Sequence, residues 1–155
     1  DTVTVLDGFV GDAAITFPVG EIDEVSKKLL EVTEKARQLG IEQAVTGNRI
    51  GDISAAIQEY VEANGFSLVR DFAGHGVGKE MHEEPEIPNY GKAGRGIRLE
   101  PGMTLAIEPM VIAGKPDMWE LEDGWTIVTQ DGSLAAHYEN TILITENDPE
   151  ILTLL

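Results

Sequence analysis

The residues that could do chemistry are few and lie apart in the chain. His75 sits in Gly74-His75-Gly76-Val77-Gly78, and seven residues on His82 opens His82-Glu83-Glu84-Pro85. With only three histidines in 155 residues, two in one glycine-rich stretch point to a shared task. Glycines flanking a histidine let the backbone pass close to a ligand or a metal. The His-Glu-x-x-His zinc helix is excluded, because no second histidine lies four residues on and the glycines oppose a helix. Glu108 is embedded in Leu105-Ala106-Ile107-Glu108-Pro109-Met110, and Glu139 in His137-Tyr138-Glu139-Asn140-Thr141-Ile142-Leu143. One such glutamate can face solvent from an edge strand. Two, in separate strands, suggest inward carboxylates meeting something positive.

A third element brings two more carboxylates. Asp7-Gly8 between Thr2–Leu6 and the apolar run from Phe9 is a strong signal for a two-residue hairpin turn. Its register would pair Leu6 with Phe9, Val3 with Asp12 and Asp1 with Ala14, placing Asp1, Val3 and Asp12 on one face. Asp1 and Asp12 are then diagonal neighbours about 7–8 Å apart. Two solvated aspartates at strand ends is the plainer alternative. Asp12 tells against it, because Ala13, Ala14 and Ile15 follow directly and a buried carboxylate needs a cation, a proton or several donors. Asp1, Asp12, His75, Glu108 and Glu139 together carry about −4, which two divalent ions would neutralise. An oxygen-rich set with one nitrogen favours Mn, Fe, Co or Zn. Spacing alone leaves both the solvated and the dinuclear readings open.

The elements that must position these residues follow from periodicity. Val25, Leu29, Val32, Ala36 and Leu39 recur on a helical period over 24–39, with Asp23 as N-cap and Gly40 where a left-handed C-terminal residue belongs. Ile53, Ala56, Ile57, Tyr60 and Val61 predict a second helix over 52–64, ended by Gly65. Beyond it the pattern predicts a strand at 66–69, a Gly- and Pro-rich loop region at 74–98, and a strand at 103–111 bent at Pro109. Further strands are predicted at 125–129, 134–137 and 138–145, with Asp131-Gly132 as a turn. Strands, then helices, then strands indicate an α+β fold in one domain over 1–155 rather than a βαβ sheet.

Composition narrows the partners. The formal net charge is −17, from 28 acidic and 11 basic residues, which repels nucleic-acid phosphates and anionic membranes. No apolar run approaches the roughly 20 residues of a membrane span. No cysteine is present, so neither disulfides nor thiolate ligands contribute. That fits a reducing cytoplasm.

The same residues resemble those of a known family. Asp1 and Asp12 around Asp-Gly-Phe, Gly-His-Gly-Val-Gly with His-Glu-Glu-Pro, Ile-Glu-Pro-Met and Tyr-Glu-Asn-Thr are similar to the motifs of type I methionine aminopeptidases. So are Ile87-Pro88-Asn89-Tyr90-Gly91-Lys92 and Leu99-Glu100-Pro101-Gly102-Met103, and the match runs from end to end. Prolidase-like relatives space their loop histidines further apart than His75 and His82. The type II insertion has no room in the 31 residues from Glu108 to Glu139.

The resemblance implies the pita-bread α+β fold, here without its first half-domain. It also implies removal of initiator methionine from new polypeptides by a hydroxide activated between two divalent ions (Co, Mn, Fe or Zn). Asp1 would chelate one ion, His75 and Glu108 the other, and Asp12 and Glu139 would bridge. Glu108 would shuttle protons and His82 would bind the substrate and stabilise the tetrahedral intermediate. Trp125 stands where the family has a residue at the methionine side-chain pocket, although a core tryptophan in a hairpin explains it equally. The expected partner is a peptide or nascent N-terminus, the location the cytoplasm, and the complete protein a monomer. Val10 and Asn140 depart from common family residues without touching the five ligand positions. A non-catalytic pita-bread binding module and a prolidase-like aminopeptidase are the alternatives; the module is disfavoured by the intact ligand set, the prolidase by the histidine spacing.

Overall fold

A computed structural model describes residues 1–154. Strands β1 (Thr2–Leu6) and β2 (Phe9–Ala13) form an antiparallel ribbon. Asp7 and Gly8 take φ of 51° and 83° at its tip, the left-handed pair that matches the twist of the flanking strands. Leu6 pairs with Phe9 and Val3 with Asp12, as the turn chemistry requires. The ladder ends at Thr2 and Ala13, so Asp1 lies outside it and is exposed.

Helix α1 (Glu24–Gln43) begins where the Asp23 carboxylate accepts from the Ser26 N–H at 2.7 Å. It does not stop at Gly40. The missing side chain there serves packing instead, since a Cβ on Gly40 would lie 2.8 Å from Ile57 Cδ1 of the neighbouring helix. That neighbour, α2 (Ile50–Ala63), buries Ile53, Ile57 and Val61 and ends at Gly65, whose φ is +82°. The 24–43 and 50–63 faces meet each other and the sheet around Leu105, Ile107 and Ile142 in one continuous core.

The remaining strands are short: β3 (Ser67–Leu68), β4 (Gly74–Gly76), β5 (Glu83–Ile87), β6 (Thr104–Ile107), β7 (Met110–Ile112), β8 (Met118–Glu120), β9 (Ile127–Thr129), β10 (Ala135–His137), β11 (Asn140–Leu143) and β12 (Glu150–Ile151). They form a five-stranded sheet ordered β12-β11-β6-β4-β5, a three-stranded sheet ordered β10-β7-β3, and the β8–β9 ribbon. Neighbouring strands run antiparallel throughout the described residues. The architecture is α+β, the pita-bread arrangement that the resemblance implies. Two expectations are corrected. The 74–98 stretch contains β4 and β5 and is not a plain loop. The 103–111 strand is two strands in different sheets, because Pro109 offers no N–H to continue a ladder.

That break positions the site. β6 passes through Glu108-Pro109 into β7, and β10 passes through Tyr138-Glu139 into β11. Since β6 pairs with β11 and β7 with β10, the two paired strands leave one sheet for the other at the same level. Glu108 and Glu139 stand side by side at that crossing. Among the described residues, no helix is long and apolar enough to cross a membrane.

Candidate metal centre

His75 lies in the middle of β4, between β5 and β6. Its flanking glycines are there for the strands. A Cβ on Gly74 would collide with the Ala106 carbonyl, and one on Gly76 with the Glu84 carbonyl. The glycines thus let three backbones close around the imidazole, which is buried. His75 Nδ1 lies 2.9 Å from the Gly76 carbonyl. A carbonyl only accepts, so Nδ1 carries a proton and Nε2 is the nitrogen turned to a ligand.

Nε2 faces carboxylates: Glu108 Oε1 is 3.3 Å away and Asp12 Oδ2 3.9 Å. Asp12, His75 and Glu139 each offer one ligand atom within 4.8 Å of the others, and all three are buried. Asp12 is fixed from its backbone. Its N–H donates to Thr141 Oγ1 at 3.0 Å, and that hydroxyl donates back to the Asp12 carbonyl at 2.8 Å. Glu139 is held alongside, its N–H donating to the Ala14 carbonyl at 2.8 Å. The main chain of Glu108 is secured by the Asn89 amide, which donates to its carbonyl at 3.0 Å.

The electrostatics are unfavourable without a cation. Burial raises the Asp12 carboxyl above its ordinary value, His75 opposes the rise, and Glu108 adds to it. Burial, with Glu108 and Asp12 nearby, pushes Glu139 up to about 8. Asp12 Oδ1 and Glu139 Oε1 are buried and have no hydrogen-bond partner. Buried carboxylate oxygens without a partner cost about several kcal/mol each unless neutralised. The three buried ligand types therefore form a metal-binding cluster. Its oxygen-rich, single-imidazole donor set suits a divalent first-row ion.

The other sequence-singled residues divide. Glu108 joins the cluster through His75. His82 is exposed, with its ring 4.4 Å from that of His75 and inclined at 74°, which puts it at the mouth of the site. Its loop is closed by Glu83, whose Oε1 accepts from the N–H groups of Lys79 and Glu80 at 2.8 and 2.9 Å. Asp1 is not among the three buried groups. Trp125 is 86% exposed at the end of the β8–β9 ribbon, which rules out the core reading. His137 escaped the sequence reading. Its Nε2 lies 3.4 Å from Glu108 Oε2, and the available signal was its place two residues before Glu139, on the same segment.

Known proteins share much of this sequence and its fold. Residues 1–146 match metallopeptidase family M24. A methionine aminopeptidase of Clostridium acetobutylicum is 58% identical over 99% of this chain and 62% of its own length. Methionine aminopeptidase 1 of Bacillus subtilis is 54% identical over 96% of this chain and 60% of its own. The chain thus spans about three fifths of these relatives. The crystal structure of a Thermotoga maritima methionine aminopeptidase superposes with a TM-score of 0.96 at 55% identity, covering 97% of this chain and 61% of that one. A prolidase of Pyrococcus furiosus shares the fold at a TM-score of 0.77 and 25% identity, covering 99% of this chain and 40% of its own. With its buried Asp12–His75–Glu139 cluster and a match over nearly its whole length, the chain belongs to metallopeptidase family M24.

Proposed function

We propose that this chain carries the metal-binding half of a methionine aminopeptidase that removes initiator methionine from new polypeptides in the cytoplasm. The single observation that carries this reading is the buried cluster of Asp12, His75 and Glu139, with orphaned oxygens on Asp12 and Glu139. In this reading two divalent ions (Co, Mn, Fe or Zn) would be held by Asp12, His75, Glu108 and Glu139, joined by Asp1 once its exposed carboxylate turns inward. Bound metal supplies Lewis acidity and a nucleophile at neutral pH.

The chain's own residues do the rest. Glu108, beside the ligand face of His75, can accept a proton at one oxygen and return it to the leaving amine. His82, at the mouth, can donate to the substrate carbonyl as it gains negative charge. Trp125, exposed on its ribbon, offers an apolar face for a methionine side chain. The methionine aminopeptidases of C. acetobutylicum and B. subtilis are more than twice as identical to the chain as the P. furiosus prolidase, which favours methionine over proline chemistry.

The test is hydrolysis of Met-Ala-Ser by the full-length protein, with and without added Mn or Co. Release of free methionine that depends on the metal supports the reading. Metal-saturated protein that leaves the peptide intact, or that cleaves only Xaa-Pro dipeptides, overturns it.

A further inference from the structure

The third histidine is absent from the five-ligand set, yet its surroundings are as fixed as those of any ligand. His137 ends β10 opposite Met110 of β7, at the level where the chain crosses between sheets. Its N–H donates to Thr16 Oγ1 at 3.0 Å, and the same hydroxyl donates to its carbonyl at 2.8 Å. The next residue is tied to the same place, Tyr138 Oη donating to the Thr16 carbonyl at 3.1 Å. The imidazole is therefore carried on a backbone that cannot swing away. Its Nε2 is buried and makes no hydrogen bond of good geometry. The acceptor it faces is Glu108 Oε2, at 3.4 Å.

Glu108 is thus bracketed. Each of its carboxylate oxygens faces an imidazole nitrogen, Oε1 with His75 Nε2 at 3.3 Å and Oε2 with His137 Nε2 at 3.4 Å. The two imidazoles are not equivalent. His75 has its Nδ1 proton committed to a carbonyl, which leaves Nε2 as its ligand nitrogen, whereas an Nε2–H on His137 has Glu108 Oε2 facing it at 3.4 Å. A glutamate side chain has three rotatable bonds, and ordering them costs conformational entropy. A donor fixed behind the outer oxygen would restrict that freedom and turn the inner oxygen toward His75.

We propose that His137 is a positioning residue that holds the Glu108 carboxylate in ligating orientation. This rests on the reading of Glu108 as a cation ligand given above. Partners behind a ligand of this kind typically contribute about 10–100-fold to metal affinity.

The test is Co(II) binding by the full-length protein, followed by calorimetry and by the visible d–d spectrum. Three variants are compared: His137→Leu and His137→Asn, which remove the donor or draw it back, and His137→Gln, whose amide can reach the same oxygen. The expected result is an affinity about 10–100-fold weaker and an altered spectrum for the Leu and Asn variants, with the Gln variant close to wild type in both. Two donor-lacking variants keep the test valid if one fails to fold, and cation-free thermal melts identify that case. Wild-type affinity and spectrum in a folded Leu or Asn variant overturn the proposal. So does a Gln variant as weak as the other two. If the wild-type protein itself binds no Co(II), the metal reading falls and takes this proposal with it. A wild type that binds Co(II) as well as the folded donor-lacking variants removes the proposal alone.

Discussion

Two strand pairs in this molecule break the ordinary rule of burial in opposite directions. The β6–β11 pair is sealed, with Leu105, Ile107 and Ile142 at 1% exposure or less, yet Glu108 and Glu139 sit at its end with the charge of Asp12 beside them. The β8–β9 ribbon is open to solvent, yet it displays Trp119 at 55% and Trp125 at 86% exposure. Where a fold buries charge or exposes aromatic rings without local compensation, a binding partner is the usual reason. For the buried carboxylates the cluster geometry points to a cation. For the ribbon, aromatic residues on a two-stranded support suit a ligand or another polypeptide surface. The contrast is between a buried charged cluster and an exposed aromatic surface.

The largest effect that could break this contrast is at Glu139. In the full-length protein, Glu139→Ala should abolish binding of at least one cation and lower methionine release by about 10⁴-fold or more, because the metal-activated nucleophile is lost with it. Metal analysis and peptide assays check it together, and full metal content would remove Glu139 from the ligand set. His82→Ala should leave metal content intact and lower the rate by about 10²–10⁴-fold. Loss of metal in this variant would move His82 from the mouth into the cluster.

Stability sharpens the same comparison. Ile142→Ala opens a cavity in the sealed pair and should cost about 2–5 kcal/mol. Trp119→Ala on the ribbon should change stability by about 0.5 kcal/mol or less. Urea denaturation of both variants measures the difference. Similar costs would mean that the ribbon is packed in solution against something that supports it.

How far the sequence alone reaches follows the same division. The β1–β2 register was legible down to the Val3–Asp12 pair, because Asp7-Gly8 dictates the turn and period two dictates the faces. Both helices were legible from their apolar stripes, although α1 ran past Gly40, which local turn chemistry marks as a stop and tertiary packing against Ile57 does not. β4 and β5 were missed. Glycines and prolines normally punctuate loops, and here Gly74 and Gly76 let strands approach too closely for side chains. Asp12, Glu108 and Glu139 were legible as carboxylates embedded in apolar runs, and His75 by the glycines that flank it and by His82 seven residues on. His137 was not, since its only distinguishing property is which oxygen it faces.

The smallest expected effect is a pH dependence. Glu139 is raised to about 8 in the cation-free fold, against an ordinary glutamate near 4.3 when unfolded. Between those values the folded state binds the extra proton. The Glu139 contribution is therefore complete below about pH 4 and is lost as pH rises through about 8. Wild-type chain without cations should lose stability over that window more steeply than Glu139→Gln, which has no proton to release. Denaturation midpoints at several pH values check this, and parallel profiles would show that Glu139 ionises freely.

The central claim, that the crossing of β6 and β11 houses paired divalent ions, is tested most directly by anomalous diffraction at the cobalt edge from Co(II)-loaded crystals of the full-length protein. The account requires two peaks that share Asp12 and Glu139 as ligands, with His75 and Glu108 on one of them and Asp1 on the other. A single peak held by Asp12, His75 and Glu139 would reduce the site to one ion, and cobalt bound elsewhere would contradict the account outright.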